Sequence, residues 1–307
     1  MDALTLTTAL IFACSVHSEQ TESDAIRMAE SVRTFGGKYA EAPVWFMLPQ
    51  DHSLYSVKNQ SKIDSLHVRV IPYAIDGETF RFAFAPTTIA SATAENEAIG
   101  KTEGLAWLDA DAVILNEPQA LKLWTKKAIA VRPVDQSNVG SPYGEPVNEF
   151  WKNVYSACKV DGNDVYAVKS AVDEKALRAY FNAGMLVVRP ERKLLTAWRD
   201  NFLKTYQTPE MKLLYNQNGQ YRLAVHQAVL AATIVKLVPA EEVYQLPRTV
   251  NFPLQLWEKY PQKYRPNSLD EIVSCHIDEA SPIFKVKDGG RGIKEALKEQ
   301  IAKIAIH

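Results

Sequence analysis

Short, continuous apolar runs alternate along the N-terminal half with stretches of helical period, and this alternation is the main structural signal in the chain. Residues 6–15, 44–48, 68–73 and 105–108 are runs of strand length, and the last is wholly apolar. Between the first two, Ala25, Met28, Ala29 and Val32 recur at helical spacing. Thr21 starts that helix, with Asp24 three residues on in the manner of a capping box, and Gly36-Gly37 stops it. Pro86 opens a second helix through Ile89 and Ala92 to about Ile99, ended by Gly100. Buried strands separated by helices imply an α/β fold: a mostly parallel central sheet with flanking helices. Ligands of such sheets bind beyond the carboxyl ends of the strands, which points to the ends of the first and fourth runs.

The second half is less regular. Residues 128–131 and 181–188 read as strands, 134–146 as a long loop, 190–206 and 223–237 as helices. Residues 244–266 are punctuated by Pro and Tyr and receive no assignment. Ile293, Leu297, Ile301 and Ile304 form the stripe of a C-terminal amphipathic helix. The 307 residues are expected to make one domain, with a nucleotide-binding half at 1–132 and an acceptor and sugar half at 133–307.

Composition narrows the partners. With 47% hydrophobic and 23% charged residues the balance is ordinary for a globular protein. A formal net charge of -1 gives no global field to gather nucleic acid or an anionic membrane, so charged ligands must be met by local groups. Cys14, Cys158 and Cys275 show neither metal spacing nor a disulfide framework, and a cytoplasmic setting is expected. The apolar run at 4–16 is preceded by Asp2 rather than by a positive segment, and its Thr content suits a strand more than a secretory signal. No later run approaches the ~20 apolar residues of a transmembrane segment.

The candidate chemistry lies at Asp109-Ala110-Asp111, which follows the fourth strand within apolar sequence. In extended backbone, residues i and i+2 point the same way, so the two carboxylates converge. Converging carboxylates repel unless a cation compensates, and oxygen ligands suit a hard divalent ion. A chain of this size contains about one such triplet by chance. A solvated turn and a metal site therefore both remain open on these residues alone.

The segment around Asp109 resembles the Asp-x-Asp element of GT-A fold nucleotide-sugar glycosyltransferases, in the glycogenin-like and lipopolysaccharide galactosyltransferase-like group. Tyr180-Phe181-Asn182-Ala183-Gly184, His226-Gln227 and Ser274-Cys275-His276 resemble three further landmarks of that group in the same order, with Leu246-Pro247 and Asn251 between them. The resemblance implies a hexosyltransferase that moves a sugar from a UDP-linked donor to the hydroxyl of a carbohydrate or other acceptor, with retention. It implies Mn²⁺ (or Mg²⁺) bound by Asp109, Asp111 and His276, with Asp109-Ala110-Asp111 meeting the diphosphate. Ala13, Cys14, Ser15 and Val16 would approach the nucleotide base. Gly184 and His226 would lie at the donor sugar, with Asn182 and Gln227 in catalytic roles. Each residue also has a plain structural reading: Cys14 as a small buried side chain, Gly184 as close backbone packing, His226 and His276 as hydrogen-bonded histidines.

The chain departs from the group at several points. His226 replaces the usual Asp, and a histidine cannot accept two hydroxyl hydrogen bonds as a carboxylate does. The late His lacks its usual Gly, Lys and Trp, leaving Lys285, Lys287 or Arg291 to meet the diphosphate. Residues 86–99 carry no Lys or Arg. Two other readings stand beside transfer: a nucleotidyltransferase on a similar fold, disfavoured because 15–23 lack Gly, Lys and Arg, and a catalytically silent binding protein.

Overall fold

The computed structural model describes residues 8–122 and 127–276. The expected C-terminal helix and the basic residues Lys285, Lys287 and Arg291 lie outside the described residues. The N-terminal part runs β1 (Ile11–Ser15), α1 (Glu19–Phe35), β2 (Val44–Pro49), α2 (Gln60–Ser65), β3 (Val68–Tyr73), α3 (Gly77–Phe80), α4 (Ala85–Ala98), β4 (Leu105–Leu108), β5 (Ala112–Ile114) and β6 (Ile129–Val131). It continues with α5 (Glu149–Cys158), β7 (Ala167–Lys169), β8 (Ala176–Arg178), β9 (Met185–Val188), α6 (Leu194–Thr205), α7 (Pro209–Gln217), α8 (Gly219–Leu237), β10 (Val243–Gln245), β11 (Phe252–Pro253) and β12 (Ser274–His276).

Seven strands form the central sheet in the order β10-β6-β9-β4-β1-β2-β3. Neighbours pair parallel except at β9, which runs against both β4 and β6. The mostly parallel, helix-flanked sheet expected from the sequence is therefore the one observed. Alternation within β1 divides the core. Ile11 and Ala13 pack with Trp45 and Trp107 under the helical layer that includes α4 and α8. Phe12 and Cys14 pack with Phe46 and Leu108 under α1. Strands buried on both faces are why the runs are continuous rather than alternating.

That helical layer is pinned by a buried acid. The first turn of α6 has no side-chain cap of its own, and Lys193 before it is left-handed. Glu95 of α4, fully buried, accepts from Leu195 N–H at 3.0 Å, Thr196 N–H at 2.8 Å and Thr196 Oγ1 at 2.9 Å. A carboxylate at a helix N-terminus satisfies orphan donors and the dipole together.

Several sequence expectations shift. The first helix begins at Glu19, because Ser18 caps it and Thr21 closes the box; Asp24 instead accepts from Gln20. The strand expected over 181–188 forms a continuous ladder only from Met185: Phe181 keeps an isolated antiparallel bridge to Pro133, and between the two Asn182 turns its side chain back onto the Gly184 N–H. The helix expected from 190 starts at Leu194, after a short turn of 3₁₀ helix. The last described helix starts at Gly219, four residues before 223, with Asn218 as its cap. Helix α5 went unassigned although Phe150, Trp151, Val154, Tyr155 and Cys158 form its buried stripe. No helix among the described residues is long and apolar enough to cross a membrane.

A three-stranded sheet in the order β11-β12-β5 lies beside the main one. Antiparallel pairing of β12 with β5 sets His276 against Ala112. Ser31 of α1 accepts the Ile114 N–H at 2.9 Å and ties β5 to the first helix. Residues far apart in sequence are thereby brought to one edge.

Candidate active site and metal centre

β4 ends at Leu108, opposite Met185 of β9. The next residue, Asp109, donates its N–H to Gly184 O at 2.8 Å, and its own carbonyl accepts from Ala112 N–H at 3.1 Å. Asp109-Ala110-Asp111 is thus a tight turn at the carboxyl edge of the sheet, not extended backbone. The two carboxylates converge because the turn folds them together, which corrects the strand-alternation reading. His276 enters from β12, its Nδ1 3.0 Å from Asp111 Oδ1. One oxygen of each carboxylate and one imidazole nitrogen lie within 4.8 Å of one another.

Their electrostatics follow from burial and mutual charge. Burial, reinforced by the charge of Asp111, pushes the Asp109 carboxyl well above the ordinary carboxylate range; His276 offsets this only in part. Burial also works against an ionised Asp111, but the hydrogen bond and charge of His276 outweigh it and hold its carboxyl low. The imidazole is raised, since Asp111 and Asp109 outweigh its own desolvation. Protons therefore occupy a place that a divalent cation would fill.

The residues fit such an ion. Two carboxylate oxygens and one imidazole nitrogen suit Mn²⁺ better than Mg²⁺, because nitrogen is a borderline ligand. Gly184 reserves the space: a Cβ there would stand 2.6 Å from Asp109 Oδ2 and 3.2 Å from His276 Cε1. Because ligation displaces protons, ion binding should strengthen with pH. The raised Asp109 carboxyl means that the metal-free folded chain holds a proton the unfolded chain releases. That chain loses stability as pH rises from the ordinary carboxylate value through the raised one. The rise in melting temperature on adding Mn²⁺ should accordingly be larger at about pH 8 than at about pH 5.5. Equal shifts at both pH values would exclude this cluster as the binding site.

Asn182 links the cluster to a cavity of about 370 Å³. Its Oδ1 accepts from Gly184 N–H at 2.7 Å and from Asn251 Nδ2 at 3.2 Å. Asn251 is buried, holds a left-handed φ of 53°, and leaves its Oδ1 without a partner. Gln227 lines the same cavity and accepts from Ala183 N–H at 3.1 Å, which fixes its amide carbonyl, and its side chain also hydrogen-bonds the buried Tyr180 hydroxyl. Asn182 and Gln227 thus both bond the backbone of the short segment 183–184, the first from the residue preceding it and the second from α8.

His226 lies in the cavity wall, stacked on Phe84 with ring centroids 4.1 Å apart. Its Nδ1 lies 2.9 Å from Leu223 O, so Nδ1 carries the proton and Nε2 is left as an acceptor. Burial lowers its pKa to about 4, and the ring is neutral near pH 7. Both a satisfied histidine and a cavity residue describe it: its backbone-facing nitrogen is paired, and its other edge meets the cavity.

Ala13, Cys14 and Ser15 end the first strand, Val16 follows it, and all four are buried. Cys14 is a core side chain whose thiol is pushed up by burial and by Asp109, so it stays protonated. Ser15 Oγ lies 3.2 Å from His17 Nδ1.

Sequence reasoning missed three groups. Arg132, 2% exposed, directly follows β6 and donates through Nη2 to Asp135 Oδ2 at 2.6 Å and through Nη1 to Tyr260 Oη at 3.0 Å. The Tyr260 hydroxyl completes the triad by donating to Asp135. Arg27 of α1 adds a positive charge that helps hold Asp111 low, a cation contributed by a helix other than α4. His17 faces Phe80 edge-on with centroids 6.2 Å apart. A basic residue at a strand's carboxyl end was the available signal for Arg132; Arg27 and Tyr260 depend on packing.

Comparison with known proteins places the chain in a family. No curated protein matches the chain in sequence. Among solved structures, the galactosyltransferase LgtC in complex with donor and acceptor sugar analogs aligns over 97% of this chain and 95% of its own, at 14% identity and a TM-score of 0.48. Mouse xyloside xylosyltransferase 1 aligns over 90% and 99%, at 13% identity and 0.47. Core-mannan synthase A from Aspergillus fumigatus, in a Mn/GDP form, aligns over 80% and 74%, at 6% and 0.45. The Rhodobacterales glycosyltransferase domain matches residues 12–238, a span that holds the acidic turn, Asn182 and Gln227. The chain belongs to the Rhodobacterales glycosyltransferase domain family and is a glycosyltransferase.

Proposed function

We propose that the enzyme transfers a hexose from a nucleotide diphosphate donor, UDP-linked, to an acceptor hydroxyl, with a divalent cation bound by Asp109, Asp111 and His276 and with retention at the anomeric carbon. The observation that carries this is the convergence of those three side chains beside Gly184, next to a cavity lined by Asn182 and Gln227. A bound Mn²⁺ would offset the charge that develops on the departing diphosphate. The bond from the anomeric carbon to the phosphate oxygen breaks, the bond to the acceptor oxygen forms, and the acceptor proton goes to the leaving diphosphate. The two halves at 1–132 and 133–307 then divide the work, nucleotide in the first and sugar and acceptor in the second.

Retention is supported by the lining of the cavity. An inverting enzyme needs a carboxylate base within reach of the acceptor hydroxyl. Among the described residues the one carboxylate in the lining is Asp135, and Arg132 and Tyr260 already engage it. Gln227 presents an amide there instead, suited to supporting positive charge at the sugar without taking a proton. Gln227→Ala should lower kcat about ten- to a hundredfold, an effect of ~1–3 kcal/mol, while the Mn²⁺-induced thermal shift stays unchanged. Incubation with UDP- and GDP-sugars, followed by NMR of the product's anomeric proton, tests donor and stereochemistry together. An inverted product would remove the retaining mechanism, and a preference for GDP-sugars would remove the UDP assignment.

A further inference from the structure

A second cavity, of about 410 Å³, opens between the loop after α3 and helices α6, α7 and α8, and nothing in the reading above uses it. Its floor is aromatic. Phe82 meets Tyr206 edge-on with centroids 4.7 Å apart and tilts against Tyr215 at 5.9 Å. The floor is held rigid. Buried Tyr206 reaches Thr79 Oγ1 at 3.1 Å, and the Tyr215 hydroxyl donates to Tyr206 O at 3.0 Å. The rim is cationic: Arg81, Lys212 and Arg222 stand against one carboxylate, Glu78. The Arg222 guanidinium lies 4.8 Å over the Phe82 ring. Among the described residues none of the three cations is held in an ion pair.

Three like charges gathered around one cavity repel each other, and none is neutralised by a neighbour. Guanidinium groups bind carboxylates and phosphates through paired hydrogen bonds, and an aromatic floor accepts the apolar face of a ring laid on it. The cavity also adjoins the reaction site through chain continuity. Phe82 lines this cavity and Phe84 the other, two residues on in the same loop. Arg222 lines this cavity, while Leu223 and Gln227 of the same helix line the other. Five residues of helix, from 222 to 227, rise about 7.5 Å.

We propose that this cavity binds an anionic group, a carboxylate or a phosphate monoester, carried by the acceptor saccharide, so that the natural acceptor is acidic. The proposal rests on the neighbouring cavity being the transfer site. An acceptor whose hydroxyl lies at Gln227 can then place its anion on Arg222, Arg81 and Lys212. Acidic acceptors gain affinity that neutral ones of the same shape lack, and the gain falls with salt.

The test is calorimetric titration of tri-galacturonic acid and its methyl ester, and of mannose 6-phosphate and mannose. The proteins are the wild type and the triple variant Arg81→Gln, Lys212→Gln, Arg222→Gln. All three side chains are exposed, so the variant should melt with the wild type. At least one acidic probe is expected to bind the wild type at least tenfold more tightly than its neutral counterpart, and that advantage should vanish in the triple variant. Which acidic probe binds distinguishes carboxylate from phosphate. Equal binding of acidic and neutral probes, or an advantage that survives in the variant, would overturn the proposal. Association with phosphatidylglycerol vesicles but with neither soluble acid would also overturn it, since the cations would then be meeting a membrane surface. UDP with Mn²⁺, titrated into the same wild-type protein, reports separately on the donor reading. Its failure there would leave an anion site whose role as an acceptor subsite is lost.

Discussion

Replacing Asp109 by Asn is expected to lower metal-dependent transfer by roughly a thousandfold or more, because a lost ligand removes several kcal/mol of charge stabilisation at the departing diphosphate. Stability should move the other way. Burial and Asp111 already oppose ionisation of Asp109, so the carboxylate is an electrostatic cost to the metal-free protein at neutral pH. An amide of the same shape removes that cost. The Asn variant should melt at or above the wild-type temperature without metal and show little or no rise on adding Mn²⁺. Loss of activity with preserved or increased stability separates a ligand from a structural residue. A variant that kept full Mn²⁺-dependent turnover would remove Asp109 from the centre.

Much of the fold was legible because its strands are buried on both faces. Residues 105–108 are apolar without alternation since Ala106 and Leu108 face one helical layer while Leu105 and Trp107 face the other. Position relative to that strand likewise located Asp109. The manner of convergence was not legible. A turn closed by Ala112 N–H and Asp109 O brings the carboxylates together, and no local pattern distinguishes it from continued strand. His276 became a neighbour only through the antiparallel pairing of β12 with β5, a contact between residues more than a hundred and sixty apart in sequence. Its place came from family resemblance, not from periodicity. The Arg132, Asp135 and Tyr260 triad was hidden for the same reason, since 125 positions separate Asp135 from Tyr260. Helix α5 is a different failure: its apolar stripe was present in the sequence and was overlooked beside a loop rich in Gly and Pro.

His226 shows what the fold adds to a sequence departure. A missing Asp in a landmark motif reads as a lost hydroxyl contact. In place, the imidazole is neutral, donates to Leu223 O, and lies flat on Phe84, whose own backbone is left-handed at φ 61°. Strained backbone of this kind persists where surrounding packing holds it, most often at binding sites. This part of the cavity wall is therefore flatter and less polar than a carboxylate would make it.

Substituting Gly184 by Ala should be the most damaging change for its size. Gly184 has an ordinary φ, so the cost is one of space rather than strain. Its new Cβ would stand 2.6 Å from Asp109 Oδ2, 3.1 Å from Asn182 Oδ1 and 3.2 Å from His276 Cε1. The first distance is shorter than real carbon–oxygen contacts allow, and the Asp109 backbone is tied to the same residue by the hydrogen bond of its N–H to Gly184 O. The carboxylate must rotate away, and one methyl group then disturbs the Asp109 carboxylate, the Asn182 amide and the His276 imidazole together. Overpacking of this kind costs about 1–3 kcal/mol of stability, enough to lower the melting temperature but not to unfold a chain of this size. The functional loss should be larger, since displacing a reacting group by about 1 Å can cost a hundredfold in rate. Mn²⁺ affinity and turnover should therefore fall together, each by about a hundredfold or more, in a protein that still melts cooperatively. Gly144→Ala is the matched control, because a Cβ there has nothing within 4 Å and should leave both quantities unchanged. Wild-type Mn²⁺ affinity in the Gly184 variant would show that the space beside Asp109 is not reserved for the ion.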